Sequence, residues 1–583
     1  MPVRNAGSGN AGDAMGTNYT PVETRAHDVT FITQCSWEGL RDRLPLVWPT
    51  PPDVPPSPKL TYRSAYTYPG WDALQQPNAW EYLSDFEVAL YLVDFEPLRP
   101  VLAQSLGWTS AKGWTPFDPV SIFLLLSWQI TNGWNRAETL RKLHHPRYAD
   151  LVGAFGFHDG VFPTEGGLRY WLTTLGEHAL RHDSVPVDIP NADAPRDVAV
   201  QHLNQLIAQS VTLMVNYGFL SQEAWEQALV CPDGLLHHAA SRLRCSAVQA
   251  SCYQPTTPDH PRPCPAQDKG HQGCDCDTQT CREICQYAPA RDADARFVWY
   301  TGSNQPSHSP NRAAAAEASS STQSGEGYYG YRSLPLQISD PHRRFSVILL
   351  DDVLPANARE EVPATALLTQ LPTFYPSLTV EAVAGDAGFG YPVFLQAIYH
   401  DLKARRVVDL RAHTTDDDPA HWPLRGYDDR GRPTCPYGYA FTANGFDAHR
   451  QRHKWVCGQA CLRDKEPRVR LDDVPYPPLE CPYAAPHAYP HGRVINVGAR
   501  FADGSMRLVR DIPVGSPTWK RFYHRARNAV EGRNAIFEQW HLKRLPVYGL
   551  SRSRATIFLA DVWVNLTTLA RLVREATTAT GNT

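Results

Sequence analysis

Residues 378–410 read as strand, helix, strand: LTVEAVAGD, then YPVFLQAIYHDL, then ARRVVDLR. A chain that leaves a strand, forms a helix and returns to a strand of similar length makes a crossover. Crossovers place both strands in one sheet with the helix on its face. The runs ALVCPDGLL, YYGYRSLPLQIS and RFSVILLDDV, which precede this unit, add further strand candidates. The expected class is therefore α/β, built on a mixed sheet.

The first half of the chain has a different period. FEVALYLVDFEPLRPVLAQSLG, FDPVSIFLLLSWQI, ETLRKLHHPRYADLVGAFG and DVAVQHLNQLIAQSVTLMVNYG carry apolar residues at helical spacing, and Asp118–Pro119 and Pro163 mark helix starts. These segments predict an all-helical region over 76–222. Residues 1–75 are rich in Gly, Asn and Pro and predict a disordered or extended arm. Residues 223–410 then form the first part of the mixed-sheet domain, with a Cys-rich and low-complexity insertion at 252–327. A Cys- and His-rich, irregular or β insertion follows at 411–515. The helices of 516–583 complete the domain.

At 583 residues the chain exceeds one hydrophobic core, and its net charge of −4 makes it no general polyanion binder. Nucleic-acid binding would have to come from a local patch. The longest apolar stretch, Val120 to Ile130, falls well short of the roughly 20 residues that a bilayer requires. The opening MPVRNAGSGNAGDAMG lacks the apolar segment of an export signal, which points to the cytoplasm.

Three acids stand where catalysts usually stand. Asp233 interrupts ALVCPDGLL, Asp386 ends LTVEAVAGD before the small pair Ala387–Gly388, and Glu531 lies within TWKRFYHRARNAVEGRNAIFEQWHLKR. Asp351 and Asp352, ending FSVILLDDV, satisfy the same local logic. Converging carboxylates repel one another unless cations stand between them, and two Mg²⁺ ions are the usual solution. Between Lys520 and Arg554 there are nine Lys or Arg against two acids, with Tyr523, Trp540 and Tyr548 interleaved. That composition suits phosphates and exposed bases. Arg527 and Glu531, four apart, share a helix face.

Three passages together resemble the DDE transposases of bacterial insertion sequences, the branch with a ribonuclease H-like core. CPDGLLHHAASRLRC is similar to the family's first-Asp strand, VAGDAGFGYPVFLQAI to its second-Asp motif, and YHRARNAVEGRNAIFEQWHLKR to its third. FDPVSIFLLLSWQITNGWNRAETLRKL, followed by PTEGGLRYWL, is similar to the helical N-terminal domain. The resemblance implies Asp233, Asp386 and Glu531 as the Mg²⁺-binding catalytic acids, with Mn²⁺ able to substitute. It selects Asp386 over Asp351 and Asp352. It implies DNA contacts from Tyr523, His524, Arg525, Arg527, Arg533 and Lys543, and a helical DNA-binding region over 76–222. The partners it implies are the element's terminal inverted repeats and target DNA, held by a homodimer or larger synaptic complex in the bacterial nucleoid. Two positions depart from the pattern. The family's Tyr three before the Arg is His524 here, with Tyr523 one earlier, and the Lys seven after the Glu is Glu538, with Lys543 nearest. The alternatives are a nuclease of the same core without strand transfer, and a zinc-containing DNA-binding protein without catalysis.

The 13 cysteines are clustered. Cys435, Cys457, Cys461 and Cys481 form a candidate structural Zn²⁺ set, with His449, His453, His487 and His491 as alternative ligands. Cys264, Cys274, Cys276, Cys281 and Cys285 form a second candidate. Reduced cysteines in irregular loops are the alternative for both.

Overall fold

The computed structural model describes residues 37–50, 61–181, 201–241, 294–300, 326–408, 439–457 and 517–581. Within these, 77, 109–114, 343–344 and 451 are excepted, and a few short stretches around 186, 196, 292, 427, 434, 495 and 512 are added. The helical first half comprises α1 (Asp85–Leu92), α2 (Leu98–Ser105), α3 (Pro119–Thr131), α4 (Arg136–Leu143), α5 (Glu165–Arg181) and α6 (Gln201–Asn216). Ser84 and Glu87 form a reciprocal capping box at α1, and Asp118 caps α3 ahead of Pro119.

The strand region follows, divided between two sheets. Its strands are β1 (Ala228–Pro232), β2 (Leu235–His238), β3 (Arg296–Tyr300), β4 (Glu326–Ser333), β5 (Leu336–Asp340), β6 (Phe345–Leu350), β7 (Val353–Pro355), β8 (Val380–Gly385) and β9 (Arg405–Val408). Five of them form one sheet in the order β6-β5-β1-β8-β9. β6, β5 and β1 pair antiparallel, whereas β8 runs parallel to both β1 and β9. The run YYGYRSLPLQIS divides at Leu334–Pro335, because proline has no N–H for the ladder. β4 instead heads a second sheet with β2, β3 and β7. Helix α7 (Glu361–Phe374) connects β7 to β8, and a helical turn from Pro392 to Asp401 connects β8 to β9. The expected crossover is present, and the class is mixed α/β.

Two long helices close the chain: α8 (Pro517–Gln539) and α9 (Leu550–Gly581). The sheet is buried on both faces, and its period of two sorts the residues. Leu229, Cys231, Ala382, Ala384 and Val407 pack against Trp519, Phe522, Ala526 and Val530 of α8. Their neighbours Ala228, Val230, Val383 and Val408 face the main core. Helix α8 ends at Gln539; His541, at φ 59, leaves the helical region and turns the chain.

Helix α9 threads the helical half. Trp563 stacks on Phe86 at 4.3 Å, and one continuous hydrophobic cluster runs from Leu40 to Val573. Its stretch Leu550–Thr577 is long and apolar enough to cross a membrane, but the most apolar part of it is almost wholly buried within the protein. Asn565 of α9 accepts from Ile348 N and donates to Ile348 O, both at 2.9 Å, so the edge strand β6 has its backbone groups paired by a side-chain amide. Residues 37–50 and 61–75, expected in a disordered or extended arm, are packed. Trp48 is buried and donates to Gln209 Oε1 at 3.0 Å, and Tyr66 is fully buried. A few large aromatic side chains outweigh the polar, Pro-rich composition around them. Most of the insertion at 252–327 lies outside the described residues. Within 411–515, β10 (Thr442–Asp447), β11 (Arg452–Val456) and β12 (Val494–Gly498) form an antiparallel sheet.

Candidate active site

Strands β1 and β8 are parallel neighbours, with Val230 opposite Val383. Three residues beyond each of these stand Asp233 and Asp386, so the register delivers both acids to one end of the sheet. Alternation points them the same way. Asp233 continues the series Leu229, Cys231, and Asp386 continues Ala382, Ala384, and both series face α8. All five residues of β1 are buried, which fixes its register firmly.

Arg527 of α8 reaches over and places Nη1 3.2 Å from Asp233 Oδ1. The Asp233 side chain is 16% exposed. Burial pushes its carboxyl up to about 6, with the charge of Asp386 adding to the shift and Arg527 opposing it. Burial also works against the charge of Arg527, but Asp233 outweighs it and holds the guanidinium above its ordinary value. Asp386 caps a short turn, Ala387–Phe389, by accepting the Gly388 N–H at 2.8 Å.

Glu531 lies one turn beyond Arg527 on the same face of α8 and is exposed. Asp386 is close enough to raise the Asp233 carboxyl, so two of the three expected acids are brought together, and the third stands one turn from Arg527. Among the described residues no group of three His, Cys, Asp or Glu side chains is arranged to hold a metal ion. The donor set at the two aspartates is nonetheless one of hard carboxylate oxygens, the type that Mg²⁺ takes.

A further acid stands beside the pair. Glu360, which precedes α7, has Oε1 2.6 Å from Arg332 Nη1 of β4. The same Oε1 lies 2.6 Å from where a Cβ on Gly234 would be, and Oε2 lies 3.8 Å from that point on Gly388. A side chain at 234 would require the Glu360 carboxylate to shift from this position. Burial pushes the Glu360 carboxyl up to about 7; Asp386 and Asp233 add to the shift and Arg332 opposes it. Nothing local in NAREEVPATALL marks Glu360 as more than one of two acids before a helix.

The residues expected at DNA fare differently. Arg525 donates to the Ser339 carbonyl at 3.2 Å and pairs with Glu223 at 3.5 Å. Tyr523 stacks on Trp519 at 4.3 Å, and His524 is exposed. Lys543 is exposed and ion-paired with Glu538, the residue at the position where the family carries Lys. Arg533 corrects its expectation. It is fully buried, with Nε 2.6 Å from Asp561 Oδ1, Nη2 2.8 Å from Asp351 Oδ2, and Nη1 donating to Ser333 Oγ at 3.1 Å. A guanidinium enclosed by two carboxylates has no face left for a phosphate. The same pairing removes Asp351 from the site. Burial and the neighbouring charge of Asp561 raise its carboxyl well above the usual range, and Arg533 opposes this.

Ser333 Oγ also lies 2.8 Å from Nε2 of His237, whose Nδ1 lies 2.9 Å from the Leu542 carbonyl. A carbonyl only accepts, so Nδ1 carries the proton and Nε2 accepts from Ser333. Burial drives the His237 imidazole down to about 3, with Arg533 and His238 reinforcing the effect against the carbonyl's pull.

In the insertion, Cys435 and Cys457 are buried in one small cluster with Phe441 and Ile495, and Tyr439 N–H donates to Cys435 Sγ at 3.4 Å. His449 and His453 are exposed. Cys461, Cys481, His487 and His491 lie outside the described residues, as do Cys264, Cys274, Cys276, Cys281 and Cys285.

Compared with known proteins, the chain matches no family model, no curated protein and no solved structure.

Proposed function

We propose that this chain is a DNA transposase with a ribonuclease H-like core, using Asp233, Asp386 and Glu531. The observation that carries this reading is the pair Asp233 and Asp386, in register at the ends of adjacent parallel strands and facing a basic helix. The strand order also supports it: three antiparallel strands, then two parallel ones joined through helices, with the acids on the first and fourth strands of the sheet in chain order. Arg527, beside Asp233, is placed to meet a phosphate once a cation takes over the neutralisation of that carboxylate.

Asp233 and Asp386 would hold Mg²⁺, with Glu531 turning in from α8. Two such ions supply an activated oxygen nucleophile and a stabilised leaving oxygen. The chain's own residues set the geometry. The buried β1 and β8 fix the distance between the aspartates, Gly388 N–H orients Asp386, and Arg527 balances Asp233 until DNA arrives. In the proposed reaction water first cleaves a phosphodiester at the element end, leaving a 3′-hydroxyl that then attacks a phosphodiester of target DNA. Two ends must be held together, so a homodimer or larger complex is the proposed assembly on DNA. Cys435, Cys457, Cys461 and Cys481 are proposed to hold a structural Zn²⁺ that stabilises the insertion, apart from the reaction.

The deciding experiment incubates the full chain with DNA carrying the gene's own flanking ends. Site-specific cutting that requires Mg²⁺, fails with Ca²⁺ and is lost in Asp386→Asn supports the proposal, and joining to a second duplex separates it from a nuclease. Binding without cutting, unchanged in Asp386→Asn, overturns it in favour of a non-catalytic DNA-binding protein.

A further inference from the structure

We propose that Arg136, Arg169 and Arg552 form a binding site for a phosphate group where α4, α5 and α9 meet. The site stands apart from the aspartates and does not depend on how they are read.

The three helices are locked together at this junction. Arg136 is the first residue of α4, and its Nε lies 3.4 Å from Oε1 of Glu165, the first residue of α5. Arg169 follows Glu165 by one turn and shares its face. Farther along α5, Gly176 lies so close to the Ser551 carbonyl of α9 that a Cβ has no room, and Arg552 is the next residue. Asp292 and Asp294 fix the start of α9 by accepting the Gly549 and Leu550 N–H groups at 3.0 and 2.9 Å.

Positive charge here is left unbalanced. Among the described residues neither Arg169 nor Arg552 makes an ion pair. Arg136 meets only Glu165, whose side chain is mostly exposed, and Arg136 Nη1 is enclosed by protein without a hydrogen-bond partner. Asp292 attracts Arg552, but both its carboxylate oxygens are taken, one by the Tyr331 hydroxyl at 2.6 Å and one by Gly549 N–H. Burial depresses the Arg552 guanidinium below its ordinary value, and Arg136 and Arg169 depress it further, against Asp292 and Tyr331. Arg527 and Arg533, each beside a carboxylate, are held above theirs.

An enclosed donor left unmade and like charges held together are both unfavourable until an anion joins them. Guanidiniums from three separate helices match an anion with at least three acceptor oxygens, which phosphate has and a carboxylate lacks.

The test melts the full chain in chloride and in millimolar inorganic phosphate at equal ionic strength. Phosphate should raise the wild-type midpoint, because it binds only the folded state. The affinity read from the concentration dependence of that rise should fall about tenfold or more in Arg136→Gln and in Arg552→Gln. Arg169 is exposed, so Arg169→Gln leaves the packing intact and should weaken the response in the same direction. Arg552→Gln relieves repulsion and should melt no lower than wild type in chloride, whereas a purely structural Arg552 would melt lower there and respond to phosphate as wild type does. Binding of a random-sequence DNA duplex, titrated with salt, identifies the source of the phosphate. A slope of log affinity against log salt lower by about one in Arg552→Gln assigns it to the DNA backbone. An unchanged slope, with the response to inorganic phosphate lost, assigns it to a small phosphate-bearing molecule. An equal rise in wild type and all three variants overturns the site, because phosphate then acts by general exclusion from the surface. So does no rise in wild type together with an unchanged duplex slope.

Discussion

Arg527 Nη1 stands 3.2 Å from Asp233 Oδ1, joining residues 294 positions apart in the chain. This contact ties α8 to the end of β1 and makes the basic helix part of the acid site. Arg527 is only partly buried, so its guanidinium can exchange the carboxylate for a phosphate. Arg527→Ala should therefore weaken binding to element-end DNA and reduce the steepness of log affinity against log salt by about one. An unchanged slope in a salt titration would count against a phosphate contact at this position.

Asp233 carries its charge against burial. Asp233→Asn removes that charge, so it should melt no lower than the wild-type chain at pH 7. Cleavage of element-end DNA should fall at least about a hundredfold, because a hard anionic donor is lost. Calorimetry and a cleavage assay on the same preparation check both halves. A large drop in melting temperature would show that Asp233 is held for structure.

Arg533 sits between Asp351 and Asp561 with no exposure of any of the three side chains. Arg533→Ala leaves two buried carboxylates facing one another and should cost about 3–5 kcal/mol of stability. Denaturant unfolding measures this. DNA affinity per folded molecule should stay at the wild-type level; a selective loss of affinity at full stability would restore Arg533 to the DNA surface.

His237 is neutral in the folded protein and its imidazole is pushed down to about 3, whereas an unfolded chain takes up the proton near pH 6.5. The unfolded state thus binds more protons between these values. The stability that His237 lends is present above about pH 6.5 and is lost as pH falls toward 3, by roughly 1.4 kcal/mol per pH unit. His237→Gln should be less stable at pH 7 and show a shallower acid slope than wild type between pH 6.5 and 4. Equal slopes in pH-dependent unfolding would remove His237 from the account.

Gly176 of α5 meets the backbone of α9 so closely that a Cβ there would lie 2.1 Å from the Ser551 carbonyl oxygen. Gly176→Ala must push the two helices apart or unseat the start of α9, a cost of about 1–3 kcal/mol. Thermal melting of the variant tests the contact, and an unchanged midpoint would deny it.

Period and punctuation made a large part of this arrangement legible in the sequence. The strand–helix–strand unit around Asp386, the helices of the first half and the long helix bearing Arg527 and Glu531 follow from local apolar spacing, which is a short-range signal. The pairing of Asp233 with Asp386 could be anticipated as two acids at strand ends. Their adjacency required the register of β1 on β8, which only strand pairing sets. Other features depended wholly on distant contacts. A basic residue on an amphipathic helix reads as a DNA contact, yet Arg533 faces inward, because Asp351 and Asp561 come from two other elements to enclose it. The arm around Trp48 and Tyr66 reads as polar and extended, yet two aromatic rings find the core. Glu360 carries no local mark; its place beside the aspartates depends on Arg332 of β4 and on the absence of side chains at Gly234 and Gly388. The sequence by itself determined which segments become helices and strands, because apolar spacing acts over one or two turns. The tertiary structure alone decided which charges meet, because a carboxylate's partner is chosen by what packing brings within about 3 Å.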